Sequence, residues 1–204
     1  MIRFSALPII QLTHDPLLQK IGITDIQEMI GPIYNTNWVI KDKLLVGCYP
    51  GAKDPQEASE KIEVLLREGI TDFISLQTPE ELERLESYEK YLPDEIKFHN
   101  FPIPDRKIVR DDLMLDYLDQ TIKILRKEDS VVYLHCLGGH GRSGVMVDLI
   151  LAANYGATAE EALKLTQRLH DTRWIEYEPR KKTEIILKSP QTKAQINQVK
   201  RLIR

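Results

Sequence analysis

VVYLHCLGGHGRSGVMVDLILAANY, residues Val131 to Tyr155, is the stretch whose character decides the fold. Val131 to Leu134 is a short, β-branched apolar run with the length of a buried strand, and Ser143 to Tyr155 is apolar nearly all round, as an enclosed helix is. Between them lies His-Cys-Leu-Gly-Gly-His-Gly-Arg-Ser-Gly, His135 to Gly144. A strand that passes through a glycine-rich turn straight into a helix is a unit of a parallel sheet.

The flanking sequence continues in kind. Trp38 to Ile40 and Leu44 to Val46 read as a strand pair, closed by Gly47, Pro50 and Gly51. Asp54 as N-cap and Pro55 at the first helical position open a helix; Ile62, Leu65 and Leu66 form its apolar side, and Gly69 suits its left-handed end. Asp72 to Leu76 is the next strand. Thr78, Pro79 and Glu81 start an acidic helix expected to run to Pro93, and Ile96 to Phe101 form a strand leading into Pro102 and Pro104. Leu113, Met114, Tyr117, Leu118, Ile122 and Leu125 recur at helical spacing behind Asp111 and Asp112, which stand where capping residues belong. Thr158 with Glu161 caps a helix to about His170. Ser189 with Pro190 opens a last helix through Ile196, Val199 and Ile203. Within residues 1–34 the clearest signal is a capping-box pair, Thr24 with Gln27, which predicts a short helix over Ile26, Met29 and Ile30 ended by Gly31 and Pro32. The fold class that follows is α/β, a central, mainly parallel, twisted sheet flanked by helices on both faces. One domain is expected, with residues 35–204 as its core and residues 1–34 as an accessory segment.

The glycine-rich turn carries the chemistry. A phosphoryl dianion held by protein needs many inward-pointing donors, and a tight loop supplies them as backbone N–H groups where residues can adopt unusual dihedrals. Gly138, Gly139 and Gly141 allow that, and with Leu137 and His140 they make a candidate phosphate cradle. The loop opens a helix, whose unpaired N–H groups and positive dipole end favour the same anion. Arg142 can close the ring with two parallel N–H bonds, which a lysine ammonium cannot reproduce. The same field acts on the sulfur of Cys136: electropositive sites lower a thiol from about 8.5 into the range of about 3.5 to 7.5 and make it a nucleophile. His135 is placed to orient the strand end, and Ser143 to donate to the sulfur. His140 either bonds a substrate group or faces solvent.

HCLGGHGRSG resembles the signature of the protein tyrosine phosphatase superfamily, matching its His-Cys, five residues, Arg-Ser/Thr pattern at each defining position. FPIPD, Phe101 to Asp105, is similar to that family's mobile acid loop, and the glycine pair after the cysteine is similar to the loop of kinase-associated and small archaeal dual-specificity phosphatases. The likeness runs from Asn37 to Arg204, strong in the loop and weak elsewhere. It implies a phosphatase fold and hydrolysis of phosphate monoesters through a phosphocysteine, with no metal or cofactor. Asp105, 31 positions before Cys136, falls where the family's general acid does. Asp111 and Asp112 are its rivals. A glutamine often positions the hydrolytic water in this family, and Gln195 or Gln191 resembles it. No phosphotyrosine-recognition loop of the larger members is legible, so the resemblance implies a shallower, dual-specificity site for phosphotyrosine, phosphoserine and phosphothreonine in proteins. The alternatives are an inositol phosphate, a phosphoinositide or an RNA 5′ end, against which the loop's lack of lysine counts, and a phosphate-binding pseudophosphatase.

The bulk numbers agree with such a protein. With 204 residues, 42% hydrophobic and 29% charged, the chain can bury a core without disulfides. A formal charge of -3 gives no reason to expect nucleic acid or an anionic membrane as partner, so phosphate must be held locally. A phosphorylated protein or small phosphorylated molecule is the expected partner, and the sequence carries no sign of an oligomeric state. Two cysteines, Cys48 and Cys136, suit a reducing compartment, and the cytoplasm is expected. Cys48 reads as core, with a reversible disulfide to Cys136 as the alternative. Trp38 and Trp174 read as packing, and Phe4 to Ile10 as part of the fold rather than a leader. Arg173, Arg180, Lys181 and Lys182 read as a solvated charge run, or else as a flank that favours acidic substrates.

Overall fold

In the computed structural model, residues 15–173 and 188–203 are described. Phe4 to Ile10, Trp174, Arg180, Lys181 and Lys182 lie outside them. Five strands, β1 (Thr36–Ile40), β2 (Leu44–Gly47), β3 (Asp72–Ser75), β4 (Lys97–Asn100) and β5 (Val132–His135), form one sheet in the order β1-β2-β5-β3-β4. Among these five strands only the β1–β2 pair is antiparallel. The helices are α1 (Pro16–Lys20), α2 (Pro55–Arg67), α3 (Pro79–Leu82), α4 (Asp111–Leu125), α5 (Gly141–Tyr155), α6 (Ala159–His170) and α7 (Lys193–Leu202).

Every residue of β2, β3 and β5 is buried, so the centre of the sheet is covered on both faces. His135 pairs in register with Gly47 on one side and Ser75 on the other. The carboxyl ends of three parallel strands are therefore level, and the chain leaves all three beside Cys136. Ligands of open α/β sheets bind at such an edge. Helix α5 is buried from Gly141 to Leu151 and packs against α4, α6 and α7, which explains why its sequence is apolar on every side.

Four local expectations need correction. The acidic helix does not reach Pro93; α3 stops at Leu82, and only a 3-10 turn, Glu89–Tyr91, follows. Two tyrosines break it. Tyr88 is 1% exposed and sets its hydroxyl 2.6 Å from His135 Nε2, while the Tyr49 hydroxyl donates to the Glu86 carbonyl at 2.8 Å, an acceptor that a continuous helix would use itself. The turn Ile26–Met29 is a 3-10 helix capped by Asp25, one residue after Thr24, because the Asp25 carboxylate accepts from Gln27 N–H at 2.8 Å. Asp111 and Asp112 do not cap α4: its N-cap is Arg110 with no side-chain bond, and the two acids sit in the first turn, paired with Arg201 and Arg110. Finally, α7 opens at Thr192 rather than Ser189, with Thr192 and Gln195 forming the capping box. Helix α1 had no sequence counterpart; Asp15 caps it, and Lys20–Glu161 (2.7 Å) and Arg168–Asp15 pairs tie it to α6.

Candidate active site

Cys136 is the first residue beyond β5, 3% exposed, with its Sγ 3.6 Å from Ser143 Oγ. The carbonyls that follow it are each held from outside the loop. Leu137 C=O accepts from Tyr49 N–H (3.0 Å), Gly138 C=O from Asn35 Nδ2 (3.1 Å), Gly139 C=O from Arg173 Nη1 (2.8 Å) and His140 C=O from the Ser189 hydroxyl (2.9 Å). In a trans peptide the C=O and the next N–H point opposite ways. Four carbonyls drawn outward thus aim the N–H groups of Gly138, Gly139, His140 and Gly141 into the loop, where an oxyanion would need them. Gly139 has φ +74°, and a Cβ there would lie 2.5 Å from the Gly47 carbonyl carbon, so only glycine lets the loop lie against β2.

The Arg142 guanidinium, 1% exposed, is oriented by a fork: Nη1 donates to Glu81 Oε2 at 2.6 Å and Nη2 to Glu81 Oε1 at 3.0 Å, with a further bond from Nη1 to the Ile103 carbonyl at 2.9 Å. Burial opposes its charge, but Glu81, Cys136 and Asp105 outweigh that and hold its pKa above the ordinary value. Asp105, half exposed, sits 3.0 Å from Nη2. The segment carrying it is laid along β3 by Phe101 N–H to Ser75 C=O (2.9 Å) and Ile103 N–H to Leu76 C=O (3.1 Å); it then turns at Asp105 and at Arg106, whose φ is +58°. Asp105, 31 positions before Cys136 in the chain, is thus brought to Arg142 at the sheet edge where the cysteine sits.

Residues 34–196 match the family model described as Swiss Army Knife protein, DSP-PTPase phosphatase domain. The chain belongs to this DSP-PTPase family. It is 29% identical over 141 residues to protein 067L of Invertebrate iridescent virus 3, named as a tyrosine phosphatase, which covers 67% of the chain. The chain spans about half the length of the curated relatives it matches, 54% and 48%. Among solved structures it is similar to Tk-PTP in its active form (TM-score 0.59, 21% identity, 78% of this chain and 90% of that one). It is also similar to the kinase associated phosphatase (0.58, 20%, 76% and 83%). At such identities these structures attest the fold.

The other predicted residues of this DSP-PTPase domain fall as follows. His135 is fully buried, and burial drives its pKa down to about 3, against a backbone hydrogen bond at Cys136; the neutral ring stacks on Tyr133 and meets Tyr88. The His140 side chain is half-buried, with its Nδ1 2.7 Å from His170 Nε2. Burial, helped by Arg173, lowers the two rings to about 4 and about 3. Gln195 is fully buried beside Gly141, but its Oε1 accepts from Thr192 N–H (2.9 Å), and its Nε2 reaches the Lys107 carbonyl (3.4 Å), so it joins α7 to the Asp105 segment; Gln191 is exposed. Asp111 is lowered to about 2, first by its Arg201 hydrogen bond. Arg173 is buried behind the loop rather than solvated. Cys48 and Cys136 are both free thiols; burial raises the Cys48 pKa, with Arg173 and Lys61 opposing. Trp38 is core. Among the described residues no group of three or more His, Cys, Asp or Glu side chains is arranged to hold a metal ion.

Glu81, Asn35, Asn37, Arg173 and Ser189 support the site and were not legible as such. Arg173 left a trace as a candidate flank of the pocket and Glu81 in the Thr78 capping box, where its Oε2 serves both Thr78 N–H (3.0 Å) and Arg142.

Proposed function

We propose that this chain is a cysteine-dependent phosphatase acting on phosphorylated side chains of proteins through a phosphocysteine. What carries the reading is the loop itself: a buried sulfur faces a ring of inward amides and one pre-aimed guanidinium. In the first step Cys136 attacks phosphorus as a thiolate in line with the leaving oxygen, the S–P bond forms as the P–O bond breaks, and Asp105 gives its proton to the departing alkoxide or phenoxide. The loop amides and Arg142 take the charge that builds on the equatorial oxygens. Incoming phosphate oxygens displace the Asp105 carboxylate from Arg142 Nη2, and the freed carboxylate takes up a proton from solvent, the one it then gives to the leaving oxygen. In the second step Asp105 takes a proton from water, the water oxygen bonds phosphorus, and the sulfur leaves as a thiolate stabilised by Ser143. Inorganic phosphate is released and the enzyme is restored.

Protein substrates are favoured because the loop carries no lysine for a polyphosphorylated ligand and opens beside a cleft of about 590 Å³ bordered by Tyr34, Tyr49, Lys53, Arg84, Leu85 and Leu137. That volume admits residues flanking a phosphorylated side chain. One catalytic domain is proposed, and Leu18, Ile21 and Ile23 from the N-terminal segment join its hydrophobic core. A reducing, cytoplasmic setting suits the free nucleophile; among the described residues no helix is long and apolar enough to cross a membrane.

Turnover of para-nitrophenyl phosphate, with and without EDTA, tests the reading. Activity indifferent to EDTA is expected, lost in Cys136→Ser with phosphate binding retained. Inactivity across pH under reducing conditions would leave a binding module, and EDTA sensitivity would reject the metal-free route. A panel of phosphopeptides, phosphoinositides, inositol phosphates and triphosphorylated RNA then ranks substrates, with phosphopeptides expected first.

A further inference from the structure

A second buried guanidinium stands behind the loop. Arg173, 7% exposed, donates from Nε to Asn37 Oδ1 at 2.6 Å and from Nη1 to Asn35 Oδ1 at 3.3 Å and Gly139 C=O at 2.8 Å. All three acceptors are neutral. Among the described residues no carboxylate oxygen lies within 4.0 Å of it, whereas Arg142 has two carboxylates, Glu81 and Asp105, within that distance. Buried charges in proteins are normally paired, so a guanidinium held at depth by carboxamides and a carbonyl has its counter-charge elsewhere. The titratable groups that face it are Tyr133 from β5, Cys48 beyond β2, Cys136 and His140 in the loop, and His170 from α6. Both histidines are neutral near pH 7, their pKa values being about 4 and about 3. Cys48 has a raised pKa, and the Tyr133 hydroxyl donates to the Cys48 carbonyl at 2.6 Å. Among the described residues, the group left to carry negative charge is the sulfur in the loop, or a phosphoryl group bound there.

We propose that Arg173 is a second cation of the phosphate site, a positioning residue that fixes the Gly139 peptide from behind and whose charge is balanced by the anion in the loop. This rests on the phosphatase reading for the identity of that anion. At rest it is the Cys136 thiolate; during turnover it is the phosphoryl group. Burial draws the Arg173 pKa down to about 10, with Tyr133, Cys48 and Cys136 pulling the other way, so the guanidinium stays charged at neutral pH. The Asn35 carboxamide bridges the two jobs: its oxygen receives Arg173 and its Nδ2 holds the neighbouring Gly138 carbonyl.

The test compares Arg173→Met, which removes the charge at similar length, with Arg173→Lys, which keeps the charge and loses the fork. Inorganic phosphate binding is measured by calorimetry in the Cys136→Ser background, where no turnover is required, and the rising limb of kcat/KM against pH is measured with Cys136 present. Arg173→Met is expected to weaken phosphate about tenfold or more and to move the limb to higher pH, while Arg173→Lys leaves the limb in place and phosphate affinity within about threefold. A folded methionine variant with wild-type phosphate affinity and an unmoved limb overturns the proposal, leaving Arg173 a scaffold residue. Should the methionine variant fail to fold, the lysine variant decides: a tenfold or greater loss of phosphate affinity would assign Arg173 to hydrogen-bonded support alone. Phosphate binding that depends on Arg173, together with no turnover by the protein that keeps Cys136, would sink the phosphatase reading and leave this one standing.

Discussion

Glu81 shows what a single residue can hide. Its position three after Thr78 announces a cap, which it is, yet the same carboxylate forks onto Arg142, 61 positions away. Local patterns disclose local bonds, so Cys136 and Arg142, which act within one loop, were legible, whereas Asn35 and Arg173, bonded to loop carbonyls 103 and 34 positions distant, were not. Glu81→Gln removes the countercharge that aims the guanidinium and should lower kcat/KM on phosphopeptides about 10- to 100-fold with little change in far-ultraviolet dichroism. Unchanged kinetics would reduce Glu81 to its cap. Asp105→Asn removes the proton donor, so alkyl phosphates should slow by about 10² to 10⁴ while an activated aryl phosphate slows far less. Equal slowing of both would dismiss Asp105 as the acid.

Among the elements, α2 and α6 fell where their caps and periodicity placed them, because Asp54 and Thr158 make the bonds that their spacing promises. Helix α3 did not, since Tyr88 is drawn to His135 and the core in place of continuing the helix. Tertiary contacts of this kind leave no periodic trace. The α5–α6 contact holds another group that sequence alone conceals. Asp148 is fully buried in α5, accepts from the Thr166 hydroxyl at 2.5 Å, and leaves its other oxygen without a partner among the described residues. Burial raises its pKa well above the carboxylate value, with the Thr166 bond opposing. The folded state therefore holds a proton that the unfolded chain releases above about pH 4, and stability falls as pH climbs from there toward the folded pKa. Asp148→Asn keeps the acceptor and abolishes the titration. It should raise the thermal midpoint at pH 7 by roughly 3–6 °C and change it little below about pH 4. A variant that is destabilised equally at both pH values would contradict this assignment.

For the molecule as a whole, alternating strands and helices announced an α/β sheet, but not its order. β5 comes fifth in the chain and stands in the middle, because its all-apolar run needs a strand on either side and a helix layer over each face. That placement sets the ends of β2 and β3 level with Cys136, so that one side delivers Cys48 and Tyr49 and the other delivers Leu76 and the Glu81 helix to the loop. Covalent phosphorylation of the sulfur at this edge is the step on which the proposed mechanism turns. Acid quenching of the enzyme within the first turnovers, followed by mass analysis of its peptides, tests that directly. One phosphoryl group is expected on the peptide that contains Cys136, none on the peptide that contains Cys48, and none anywhere in Cys136→Ser. A phosphoryl group trapped on another side chain, or full turnover by Cys136→Ser, would contradict it.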